Sequence, residues 1–244
     1  MAIRTTWKGY LRVSMATIPV RLYNAVDSST TISFNQLHRT DHGRIGYDKQ
    51  CRSCGESVAS ADIVKGYQYA PDEYAVITDE DLAKVKVPST RIIEITGFVK
   101  QPHQTLFDTP YLMGPDGVVA SKGYALLAQA LKASGQMGVG KVVLRDREDL
   151  VLVGHHEGGL MLYKVRHPQY VRSIGEVPGV EAERIDRSEL KMVRGLIDAM
   201  QTTLEQVDMR DSYQEAVKEL VEAKIAGREV VVADQPDRPM VDIM

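Results

Sequence analysis

Cysteine, long apolar runs and nucleotide-binding loops are all scarce or missing in this chain of 244 residues. Cys51 and Cys54 are the only two thiols, which excludes a disulfide-stapled secreted scaffold. No uncharged stretch reaches the ~18 residues that a membrane-spanning helix needs. The opening residues Met1 to Lys8 lack the apolar stretch of a signal peptide, so a reducing cytoplasm is the expected setting. Neither a phosphate-binding loop nor a dinucleotide fingerprint occurs. Gly135-Gln136-Met137-Gly138-Val139-Gly140 only echoes one, because it follows a predicted helix and precedes a strand. There is no nucleophile elbow, and no two carboxylates pair persuasively with a third group. No catalytic residue is therefore assigned, which shifts the expectation from enzyme to binding protein.

What is present is ordinary globular material with an uneven charge. Hydrophobic content of 43% and charged content of 26% suit one large domain with its own core. The net charge of -3 conceals eight Lys or Arg against three Asp in residues 1–52. A basic first fifth on a weakly acidic chain can attract phosphate on one face.

Residues 10–14, 20–23 and 30–34 alternate or are β-branched, and read as strands. Pro19 places the second at an edge or delays its start. Residues 38–62 are polar, glycine-punctuated and poor in large apolar side chains. Strands are expected again at 63–69, 74–77 and 91–95, with a short helix from Thr78-Asp79-Glu80-Asp81 to Val85. Residues 101–118 read as turns. Ser121 is expected to cap a helix ended by Gly135, and a meander over 140–144, 150–153 and 160–165 follows. Two amphipathic helices, opening at Ser188 and Asp211, come after all the strands. That order predicts a mixed β+α protein, a barrel or sandwich with helices appended.

The sharpest local signal is Cys51-x2-Cys54 with His38-x3-His42 upstream. Those four residues, His38, His42, Cys51 and Cys54, have spacings suited to one structural Zn2+, which would brace a segment that cannot build a core. No nucleotide cofactor is expected. A thioredoxin-like redox pair is the weaker alternative, since no βαβ context surrounds the thiols. His103, His155, His156 and His167 read as surface residues. Basic residues interleaved with Gly and Tyr suit a phosphate backbone, where position matters and base identity does not. The DNA-binding candidates are Lys8, Arg12, Arg21, Arg39, Arg44, Lys49, Arg52 and Lys65.

Several stretches together resemble the bacterial Ku family: Trp7-Lys8-Gly9, Ile18-Pro19-Val20-x-Leu22-Tyr23, Leu37-His38, Gly43-Arg44-Ile45-x-Tyr47 and Asp62 to Tyr67. So do Tyr74 to Leu82, Lys141 to Glu148, and Tyr213-x2-Ala216-x3-Glu219-Leu220-x2-Ala223-Lys224. The resemblance runs over roughly residues 3–229. It implies a Ku-like β-barrel core over 1–180 with a projecting bridge arm at about 34–66. A C-terminal helical arm over 181–229 and a short acidic tail over 230–244 complete it.

Functionally, the resemblance implies a non-enzymatic homodimer whose arms close into a ring around a DNA double-strand break end. Such a ring recruits an ATP-dependent DNA ligase for non-homologous end joining, in a nucleoid-associated cytoplasmic setting with no membrane partner. Two departures stand out. Gly46 follows Gly43-Arg44-Ile45 where family members often carry a basic residue. Residues 229–244 hold four acids against Arg238, so DNA binding by a basic tail is not expected. The alternatives are a metal- or thiol-dependent enzyme using the cluster at 38–54, and a sequence-specific regulator reading DNA through the same segment.

Overall fold

Alternating side chains near the N-terminus produce a hairpin of two long strands, β1 (Thr5–Val13) and β2 (Ala16–Asn24). The structure is a computed structural model, and it describes residues 3–27, 29, 31–86, 90–100, 102–144, 147–180 and 185–227. Further strands follow in chain order: β3 (Lys65–Ala70), β4 (Glu73–Ile77), β5 (Ile92–Lys100), β6 (Phe107–Pro115), β7 (Gln136–Leu144), β8 (Arg147–His156) and β9 (Gly159–Val165). Helices are α1 (Asp79–Val85), α2 (Val118–Ser134), α3 (Arg187–Ala199) and α4 (Ser212–Ile225).

Seven strands close a barrel in the order β1-β2-β6-β9-β8-β7-β5. The seam is the pairing of β1 with β5, parallel from Tyr10↔Ile92 to Val13↔Ile95, while the other barrel neighbours are antiparallel. Leu11, Val20, Leu22, Ile93, Val142, Val151, Val153 and Leu162 are almost wholly buried. This aliphatic filling leaves the barrel as packed core. α2 lies against it through Ala120, Ala128 and Leu131. The Tyr124 hydroxyl fixes the seat, donating to the Met113 carbonyl at 2.5 Å and accepting from the Leu160 amide at 2.7 Å. One phenol thus spans β6 and β9, and its burial pushes its pKa up.

Several sequence expectations need correction. Pro19 lies inside β2, not at its start. Its partner Tyr10 sends its own N–H to the Arg91 carbonyl at 2.9 Å, and β6 stops at Pro115 opposite Val20, so the missing donor of Pro19 leaves no gap in the ladder. Residues 31–34 form no strand, and the Ile32 amide instead donates to the Gln214 side chain of α4 at 3.0 Å. The turn-rich reading of 101–118 missed β6, whose Pro110, Gly114 and Pro115 disguise a barrel strand. α2 begins at Val118 after Gly117, three residues before Ser121, and ends as expected at left-handed Gly135. The α3 cap is Asp186, whose carboxylate accepts from the Ser188 amide. The capping box of Thr78 and Asp81 on α1 and the Asp211 cap on α4 are as read.

Chain contacts divide the molecule into two units. The first holds residues 1–27 and 46–181, with the barrel, α1, α2 and the separate β3–β4 ribbon. The second joins residues 28–45 to the chain from 182 onward, including α3 and α4. Arg145, Asp146 and the acidic run 229–244 lie outside the described residues. Among the described residues, no helix is long and apolar enough to cross a membrane.

Candidate nucleic-acid interface

Residues 34–62 carry no long element and bury no side chain, as their composition demands. Two tight turns give this stretch its local order, and they repeat each other bond for bond. In the first, the His38 amide donates to the Gly43 carbonyl (2.8 Å) and the His42 amide to the His38 carbonyl (2.9 Å). In the second, the Cys51 amide donates to the Glu56 carbonyl (2.9 Å) and the Gly55 amide to the Cys51 carbonyl (2.9 Å). The bridge Leu37↔Arg44 flanks the first turn and Gln50↔Ser57 the second. His42 (φ 55°) and Gly55 (φ 76°) occupy the same left-handed step. The first turn belongs to the second unit, the other to the barrel unit.

The repeat matches His38 with Cys51 and Asp41 with Cys54. His38 Nδ1 and Asp41 Oδ1 are 2.8 Å apart. The Gly43 amide, then His38, hold the Asp41 carboxyl below its usual range. The backbone N–H groups of Cys54 and Ser53 lower the Cys51 thiol pKa. Among the described residues, no group of three or more His, Cys, Asp and Glu is gathered as a metal ion would need. Sequence reading missed Asp41, although its spacing from His38 equals that of the thiols.

The basic candidates fall into two classes. Lys8 and Arg21 converge on Asp116, at 2.7 Å and 2.5 Å. Lys8 and Arg21 hold that carboxyl below its usual range, and Asp116 in turn raises the Arg21 guanidinium. Asp116 itself went unseen in the sequence, because Gly114-Pro115-Asp116-Gly117 reads as a bare turn. Arg12 pairs with Glu94 at 2.8 Å and Lys65 with Asp79 at 3.0 Å. Arg44 donates to Asn35 at 2.5 Å and Lys49 to Ser60 at 3.0 Å. Arg39 and Arg52 are exposed and have no partner among the described residues. Each is the second residue of one of the repeated turns.

The family model described as the Ku70/Ku80 beta-barrel domain matches residues 12–192. The chain belongs to the Ku family. The Ku match takes in β2 to β9, α1 and α2 and ends inside α3, so the closed barrel is the family's own domain. Three curated relatives carry the name "Non-homologous end joining protein Ku". That of Archaeoglobus fulgidus is 39% identical over 95% of this chain and 92% of its own length. That of Koribacter versatilis is 37% identical over 98% and 83%, and that of Bacillus subtilis 31% over 99% and 78%.

Proposed function

We propose that this protein binds DNA double-strand break ends for non-homologous end joining. The observation that carries the reading is the similarity, over more than nine-tenths of the chain, to relatives named for that process. The chemistry of the surface agrees. Arg39 and Arg52, unpaired among the described residues, stand on matching turns, ready for phosphate oxygens. Lys8, Arg12, Arg21, Arg44, Lys49 and Lys65 hold their present partners at the surface, where a phosphate can displace them. No base-reading helix is required, because backbone contact carries no sequence information.

The finer reading is a homodimeric ring. α3 exposes Leu190, Val193, Ile197 and Met200, a stripe that a second copy can cover. A closed collar reaches duplex only from a terminus, so its choice of ends is topological. The bound dimer then presents the end to an ATP-dependent DNA ligase in the nucleoid, the protein itself performing no chemistry. Gel shifts should show tight binding to linear fragments of unrelated sequence, and far weaker binding to hairpin-capped or circular DNA at equal mass and salt. Equal affinity for circles overturns the ring, and protection of one internal sequence points to a regulator instead.

The structural Zn2+ of His38, His42, Cys51 and Cys54 rests on the spacing of these residues along the chain. Elemental analysis of protein purified without chelator should find about one zinc per chain. Replacing both Cys51 and Cys54 by Ser should remove it while leaving the barrel folded.

A further inference from the structure

Two stretches of the barrel unit that carry no DNA-binding candidate wall a recess of about 790 Å3. Three one-turn helices build it: Gln104–Leu106 before β6, and Pro168–Tyr170 and Ile174–Glu176 after β9. Arg166 ties the two stretches together. Its amide donates to the Leu106 carbonyl at 2.8 Å, and its guanidinium donates to the Thr105 carbonyl at 3.2 Å and to Asp108 at 2.8 Å. A capping box holds the last of the helices, the Ser173 amide donating to Glu176 at 2.9 Å and the Gly175 amide to the Ser173 hydroxyl at 3.2 Å. The walls are thus set before anything binds, which lowers the entropy cost of binding.

Leu106, Pro168, Val171, Ile174 and Val177 make the lining chiefly apolar, and Ile174 and Val177 remain 71% and 49% exposed. The polar part of the lining is nearly all engaged. His103 and Thr105 hold each other, Nδ1 to Oγ1 at 2.8 Å, and the Ser173 hydroxyl is taken up by its cap. Arg172 is left, exposed and unpaired among the described residues. No described Asp or Glu lines the recess. A concave, chiefly apolar lining with one placed polar group is the form of a binding site, and a cation on an acid-free rim selects negative charge. Tyr170, exposed on the Pro168–Tyr170 helix, carries apolar surface past the recess, which suits a length of chain better than a compact ligand. We propose that this recess docks an apolar segment of a partner protein that bears a carboxylate beside its bulky side chains. Those side chains fill the space between Leu106 and Ile174 while the carboxylate meets the Arg172 guanidinium. The proposal is independent of end binding, because none of the basic DNA-binding candidates lines the recess.

The test selects a random peptide library, displayed on phage, against the immobilised full chain. Enriched peptides should share an Asp or Glu next to bulky apolar residues. A synthetic copy of the most enriched peptide should bind the wild type and lose at least ~tenfold in affinity to I174E with native circular dichroism. Selection against R172E should enrich Lys or Arg where the acid stood. No enrichment overturns the proposal, and so does a peptide that binds I174E and R172E as well as it binds the wild type. A full chain carrying Ile174→p-benzoylphenylalanine tests for other occupants: a photoadduct with a second copy, or with another segment of the same chain, in the absence of peptide shows the recess already filled and overturns it too. Binding of linear DNA by the same variants reports separately on the end-binding reading.

Discussion

Asp116 serves two cations with one carboxylate that is 13% exposed. Its pKa is lower folded than unfolded. The pairing therefore adds stability above the unfolded value of ~4 and loses it as pH falls through the folded value. Replacing Asp116 by Asn should lower stability at pH 7 and flatten its loss on acidification, read by urea unfolding at pH 7 and pH 3. An unchanged slope would remove Asp116 as an acid-sensitive tie. Little of this was legible in sequence. Lys8 and Arg21 stood out as basic residues on strands, but the acid that restrains both arrives from the end of β6, about a hundred residues further on. Charge counts read along a chain cannot see such a meeting.

Among the elements, the repeated turns separate the free arginines from the restrained ones. Removing Arg39 and Arg52 together should weaken binding to every linear sequence alike. It should also reduce the slope of log affinity against log salt by about 0.9 for each phosphate no longer neutralised. Replacing Lys65, already neutralised by Asp79, should change that slope less. Fluorescence anisotropy over a salt series distinguishes the two, and equal effects would void the division. The thiols and histidines marked this stretch in the sequence as a core-poor candidate metal segment, whereas its two turns and their identical backbone bonding are set by hydrogen bonds that no residue pattern announces. Where the period was clean, as in β1, β2 and the β7–β9 meander, pattern alone located the strands. β6 escaped because two prolines and a glycine mimic turn punctuation, and Thr31–Phe34 misled because β-branching cannot say whether a neighbouring strand exists to pair with.

At the scale of the whole molecule, the order of strands then helices gave the class, while barrel closure rests on a pairing no local pattern encodes. β1 and β5 lie some eighty residues apart in sequence and join in parallel. The proposed dimer would draw on the exposed apolar stripe of α3. Ile197, 64% exposed on α3, is a sensitive position for it. Replacing Ile197 by Asp should convert a dimer to a monomer in sedimentation. Loss of bivalent grip should then reduce affinity for linear DNA by at least ~tenfold. A wild-type monomer at working concentration would remove the collar and leave the family assignment untouched.

Because the seven staves close on themselves, every stave has a paired neighbour on both sides and none is left as a bare edge strand. The two-stranded ribbon of β3 and β4 differs: both of its outer rims are open, and Tyr67, Tyr69, Tyr74 and Val76 stand exposed along it. A ribbon of two strands is marginal by itself in water. Among the described strands, the ribbon is the pair with both sides unpaired, so a β-sheet extension with another chain has its natural start there, and a proline placed on its rim would block that extension without disturbing a single stave.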